Sequence, residues 1–119
     1  WDGIRFDRVL LDAPCSASGT IRRNPDIRWT RRPSDIARFA VQQARLLGAV
    51  WRVVKPGGKL LYATCSLFRA ENGDQVARFV AQQPDAVSVP LEHARLSEGH
   101  VIPDADHDGF FYALVEKKR

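Results

Sequence analysis

The sequence predicts an α/β fold whose sheet is mostly parallel with an antiparallel edge. Three observations lead there. Short apolar runs end in turn residues, helical periodicity fills the stretches between them, and the order along 119 residues is strand, helix, strand, helix, strand, strand. Such alternation calls for crossover helices and parallel pairing of the first strands. The last two strands, joined by a polar loop, can pair antiparallel at one edge.

The first element is Phe6-Asp7-Arg8-Val9-Leu10-Leu11-Asp12, an apolar run closed by Asp12-Ala13-Pro14, which reads as a buried strand. From Cys15 to Pro33 the chain is rich in Ser, Gly, Pro, Asn and Arg without a sustained period, so a long functional loop is expected. Ser34-Asp35 offers an N-cap for a helix whose stripe runs Ile36, Phe39, Ala40, Leu47, Val50, Trp51 and Val54, broken only at Gln43. That is about five turns at 3.6 residues each. Lys55-Pro56-Gly57-Gly58 stops it, because Pro cannot continue a helix and Gly accepts left-handed angles.

Lys59 to Thr64 is then a second buried strand, ending at Cys65-Ser66. A second helix is expected from about Glu71-Asn72, with Val76, Phe79 and Val80 on one face, stopping before Pro84. Ala86 to Val89 reads as a short strand and residues 92 to 109 as irregular. Phe110 to Val115 closes the sheet before a charged tail. His93, His100 and His107 have no ligand-like spacing and read as surface residues.

An apolar content of 45% with 27% charged residues is that of a folded domain and excludes wholesale disorder. No apolar run approaches the roughly 20 residues of a membrane span, and no basic-then-apolar leader is present. A start at Trp1 and the lack of any Met predict a piece of a longer protein. Two cysteines without a secretory leader predict reduced thiols in a cytoplasmic setting, and their spacing makes a poor metal site, so no metal is expected. The net charge of +4 suits a polyanionic partner without requiring one.

Ligands of open α/β sheets collect at the C-terminal ends of the strands. Asp12-Ala13-Pro14-Cys15 and Thr64-Cys65-Ser66 both fall there. If the two strands are neighbours, about 4.8 Å apart, both thiols reach one cleft.

These residues resemble a known family. Asp12-Ala13-Pro14-Cys15-Ser16 with Gly19, and Ala63-Thr64-Cys65-Ser66, look like the two motifs of the RNA 5-methylcytosine methyltransferases. Arg22-Arg23-Asn24-Pro25-Asp26-Ile27-Arg28-Trp29 and Asp108-Gly109-Phe110-Phe111-Tyr112-Ala113 look like its bacterial 16S rRNA branch. The resemblance covers essentially the whole chain. It implies that residues 1–119 are the C-terminal portion of a Rossmann-like catalytic domain that uses S-adenosylmethionine. The cofactor's Gly-rich loop, the acid that holds its ribose and a catalytic Lys would lie N-terminal to Trp1. The piece alone is therefore expected to bind cofactor poorly and not to turn over.

The implied reaction explains two thiols. C5 of cytosine is too weak a nucleophile to take a methyl group from a sulfonium. A thiolate adding to C6 activates C5, and a base must then remove the C5 proton so that the sulfur can leave. The resemblance implies Cys65 as nucleophile and Cys15 as the residue that assists proton removal and release. Spacing alone does not distinguish them. The resemblance also implies a place for Asp12 between cofactor and target base, although an Asp at a strand end can equally cap its own turn.

Arg22, Arg23 and Arg28, with Trp29 among them, suit RNA, since guanidinium groups fork onto phosphate and an indole stacks on a base. A solvated basic face is the plainer account of the same run. Glu71-Asn72 resembles a pair that follows the second cysteine in relatives, where a Pro often precedes it; here Arg69-Ala70 stands in that stretch. An acid in the first turn of a helix suffices to explain it.

The substrate implied is an unpaired or flipped cytosine in 16S rRNA, because the base edge must be reached. A non-catalytic RNA-binding α/β fragment is the alternative, and a thiol redox or acyl-transfer enzyme a weaker one, lacking a Cys-x-x-Cys pair. A piece missing strands of its sheet exposes an edge through which it can dimerise.

Overall fold

A computed structural model describes residues 1–119. Five strands form one mixed sheet: β1 (Phe6–Asp12), β2 (Val54–Thr64), β3 (Ala86–Val89), β4 (His100–Val101) and β5 (Phe110–Lys117). The helices are α1 (Ile27–Thr30), α2 (Pro33–Trp51) and α3 (Gly73–Gln82). The strand order is β1-β2-β5-β3, with β4 also on β5. The β1–β2 pair is parallel and every pairing of β5 is antiparallel. The expected α/β class with a mixed sheet is thus present. Its antiparallel part is larger than an edge, since β5 lies between β2 and β3.

The core sits on the face covered by α2 and α3. Leu47 and Trp51 of α2, and Val76 and Phe79 of α3, meet Leu60 and Tyr62 of β2 and Phe111 and Val115 of β5. Trp51 and Phe79 meet edge to face, centroids 5.4 Å apart. The period-2 alternation of β2 and the 3.6-residue stripe of α2 meet there.

β1 is not the fully buried strand expected. Leu11 is buried on the helix side, but Leu10 on the opposite face is 64% exposed. β1 is an end strand, so one face and its outer edge stay open. Helix α2 begins two to three residues earlier than a cap at Ser34-Asp35 suggests. Pro33, whose missing N–H costs nothing at the first helical position, opens it, and Asp35 reaches back to accept the Arg32 N–H at 2.9 Å.

Helix α2 ends at Trp51, before Lys55-Pro56-Gly57-Gly58 is reached, and Val54, expected as the last position of its stripe, instead opens β2. The Pro-Gly-Gly turn is an excursion inside β2 rather than the stop of the helix. Phe6 pairs with Val54 and Arg8 with Lys59, so the extra residues loop out between. Gly57 has φ of +78°, which its lack of a Cβ permits. The stretch 15–33 is also more ordered than expected, containing a 3-10 turn at Ser18–Thr20 and α1.

Candidate active site

The parallel β1–β2 pair delivers both motifs to one place. Asp12 pairs with Ala63, and Ala13 N–H donates to the Ala63 carbonyl at 2.9 Å, so the two chains leave the sheet side by side. Cys15 and Cys65 are free thiols with their sulfurs 3.5 Å apart. That is hydrogen-bond distance for sulfur, well beyond the roughly 2.05 Å of a disulfide.

Two glycines let the loops close over the pair. Gly19 N–H donates to the Cys65 carbonyl and Gly109 N–H to the Gly19 carbonyl, both at 2.8 Å. A Cβ on Gly19 would overlap the Gly109 carbonyl oxygen. Gly19 is thus required by close approach of three backbone segments.

The electrostatics distinguish the sulfurs. Cys65 is lowered to about 7, chiefly because it accepts the Cys15 S–H, and in spite of its burial and the carboxylates of Asp12 and Glu71. Cys15 is pushed well up, first by that same hydrogen bond and then by burial. Of the two, Cys65 is thus the sulfur that ionises more readily, and Cys15 the one that keeps its proton. Asp12 ends β1 exposed, with its carboxylate close enough to oppose Cys65 ionisation.

Glu71 was read from sequence as a helix-start acid. It is fully buried, and its carboxylate accepts Ser16 N–H at 2.8 Å, Ser16 Oγ–H at 2.6 Å, Ser66 Oγ–H and Gln43 Nε2–H at 3.2 Å. Gln43 Nε2 also donates to the Pro14 carbonyl at 2.9 Å. The lone interruption of the α2 stripe was the signal for it. Asn72 accepts Thr64 Oγ1–H at 2.6 Å and donates to the Ser66 carbonyl at 2.7 Å and toward His100 Nε2 at 3.2 Å. His100 is thus half-buried in β4 against Phe111, not a free surface residue.

The arginines divide. Arg23 Nε donates to Asp108 at 2.6 Å, and Arg22 lies 3.7 Å from the other oxygen of that carboxylate, which is only 6% exposed. They latch the loop to the segment before β5 while their outer surfaces face solvent. Arg28 is exposed without an ion pair, and Trp29 beside it in α1 is 85% exposed. No group of three or more His, Cys, Asp or Glu is placed to hold a metal ion. No helix is long and apolar enough to cross a membrane.

Residues 1–116 match the family described as 16S rRNA methyltransferase RsmB/F. The chain belongs to that family. It is 48% identical over 118 residues to the ribosomal RNA small subunit methyltransferase B of Vibrio cholerae, covering 99% of this chain and 27% of that protein. The Klebsiella pneumoniae protein of the same name is 51% identical over 117 residues, covering 97% of this chain and again 27% of the relative. The chain therefore spans about a quarter of the length of these relatives.

Among solved structures, PH0851 superposes with a TM-score of 0.85 at 44% identity, over 93% of this chain and 26% of its own. NSun6 from Pyrococcus horikoshii, solved with SFG, superposes with a TM-score of 0.83 at 28% identity, over 98% of this chain and 31% of its own. These likenesses establish the methyltransferase fold.

Proposed function

We propose that the whole protein transfers a methyl group from S-adenosylmethionine to C5 of a cytosine in 16S rRNA, and that this chain carries its two catalytic thiols. The observation that carries the reading is the 3.5 Å contact between Cys15 and Cys65 at the ends of adjacent parallel strands. Membership of an rRNA methyltransferase family supports the substrate class and the donor.

Cys65, the more easily ionised of the two sulfurs, adds as thiolate to C6 of the cytosine, and the electron pair passes to C5. S-adenosylmethionine, when bound, supplies the electrophilic methyl that C5 takes. Addition removes the negative charge that held the Cys15 proton, so Cys15 becomes free to ionise to solvent and to receive the C5 proton. The C5–H electrons then reform the C5–C6 double bond, and the C6–S bond breaks to return the Cys65 thiolate. Asp12 stands close enough to Cys65 to meet the amino group of the target cytosine or the cofactor. Residues 1–119 alone are expected to bind cofactor poorly and not to turn over, since they span about a quarter of the relatives' length.

Arg28 and Trp29 offer RNA a free guanidinium and an open indole face, with the outer surfaces of Arg22 and Arg23 beside them. The cytosine must be unpaired or flipped for its C6 to meet a half-buried thiol. Work on cytoplasmic rRNA suits reduced thiols. The open outer edge of β1 is where two isolated copies of this piece would pair.

Labelled methyl transfer by the intact enzyme to 16S rRNA, read by nucleoside mass spectrometry, tests the reading. It predicts 5-methylcytosine that disappears with Cys65→Ala. Methylation at another atom, or full activity without Cys65, would overturn it.

A further inference from the structure

We propose that Glu71 is a positioning residue: its buried carboxylate clamps the two cysteine turns together and thereby holds the Cys15 sulfur on the Cys65 sulfur. Its consequence for catalysis rests on the thiol chemistry proposed above, whereas its geometry does not.

Glu71 closes a 3-10 turn, Arg69–Glu71, on the chain just after Cys65. Its donors come from both sides of the thiol pair. Ser16, which follows Cys15, gives its N–H and its hydroxyl, and Ser66, which follows Cys65, gives its hydroxyl. From α2, Gln43 joins the same carboxylate to the carbonyl of Pro14, the residue before Cys15. The Glu71 carbonyl in turn accepts the Tyr62 hydroxyl at 2.7 Å, fixing the turn to β2.

No cation pairs with Glu71, so the charge is held by these neutral donors alone. A carboxylate suits the place because it is all acceptor, with about four lone-pair sites. A Gln side chain would turn an NH₂ toward at least one existing donor and leave a buried polar group without its partner.

Clamping and charge have opposite effects on Cys65, which makes the role testable. The Glu71 charge opposes ionisation of Cys65, so removing the charge alone would favour the thiolate. Releasing the clamp would separate the sulfurs and lose the Cys15 hydrogen bond, the main cause of Cys65 acidity, and so disfavour it.

The experiment uses the intact enzyme with Glu71→Gln and, separately, the double variant Ser16→Ala/Ser66→Ala, which keeps the charge but removes both hydroxyls. Cys65 alkylation by iodoacetamide is followed against pH by peptide mapping. Disulfide formation between Cys15 and Cys65 is followed with diamide, which takes up the two electrons and two protons that the thiols lose. In the serine variant, which keeps the Glu71 charge, the Cys65 inflection should rise from about 7 toward the ordinary value, roughly 8.5. In both variants the sulfurs should be held together less firmly. Disulfide formation should slow by about tenfold or more, as expected when a held contact becomes a mobile one.

An inflection that stays or falls in the serine variant, or a disulfide rate in either variant like that of the unaltered enzyme, overturns the proposal. If Glu71→Gln does not fold, the serine variant decides by the same criteria. None of these measurements uses RNA or cofactor. An enzyme whose Cys65 never joins RNA, yet whose inflection moves as stated, keeps the clamp and loses the function proposed above.

Discussion

Replacing Cys15 by Ala deletes the hydrogen bond to which Cys65 owes its acidity. With the bond, Cys65 stands at about 7, so roughly half of it is thiolate at neutral pH. Without it, burial and the carboxylates of Asp12 and Glu71 oppose ionisation, and only the weaker backbone N–H contact of Cys65 still favours it. Cys65 should then return at least to the ordinary value of roughly 8.5, leaving about 3% thiolate at pH 7. The more basic thiolate is also the better nucleophile. With a Brønsted slope of about 0.45, that change makes it about fivefold more reactive once ionised.

The two effects partly cancel at pH 7, where the Cys15→Ala enzyme should react roughly threefold more slowly. Above about pH 9.5 it should react about fivefold faster. Alkylation of Cys65 by iodoacetamide, followed by peptide mapping of the intact enzyme, gives both limbs. Curves that share one inflection, or that never cross, would refute the idea that Cys15 donates to Cys65.

Other consequences follow from the same geometry. Gly19→Ala would drive a Cβ into the Gly109 carbonyl oxygen and to 2.7 Å from that of Cys65. A urea melt should show a loss of about 1–3 kcal/mol, and a wild-type midpoint would mean the backbone approach is looser than described. Arg23→Ala strips the buried Asp108 carboxylate of its direct partner. With Arg23 itself exposed, a loss of about 1–2 kcal/mol by thermal melt is expected, and none at all would argue against the latch. Trp29→Ala should leave the melt unchanged, because the indole is 85% exposed, while weakening RNA binding by about 1–3 kcal/mol if a base stacks there. Unchanged RNA affinity would remove Trp29 from the interface.

The site was legible where chemistry and backbone coincide. Two turn motifs at the ends of strands that could be neighbours were enough to expect Cys15 and Cys65 near one another, and the register of β1 on β2 brings their sulfurs to 3.5 Å. Long-range polar pairing was not legible. Glu71 resembles any acid in a first turn until four donors from three parts of the chain converge on it. Arg22 and Arg23 resemble a free basic run until Asp108, far along the sequence, reaches their loop.

Gln43 carried the one local clue. A polar residue on the apolar stripe of α2 needs a buried partner, and it has Pro14 and Glu71. The insertion of β5 between β2 and β3 escaped as well, since an apolar run gives the existence of a strand but neither its direction nor its neighbours.

The central claim is that two sulfurs share one cytosine ring, one joining it and the other helping it leave. Denaturing gel analysis of the intact enzyme incubated with 16S rRNA and S-adenosylmethionine addresses it directly. Cys15→Ala should accumulate an RNA–protein adduct that survives denaturation, attached through Cys65, whereas Cys65→Ala and the Cys15→Ala/Cys65→Ala double variant should form none. An adduct formed by Cys65→Ala and absent from Cys15→Ala would contradict the account.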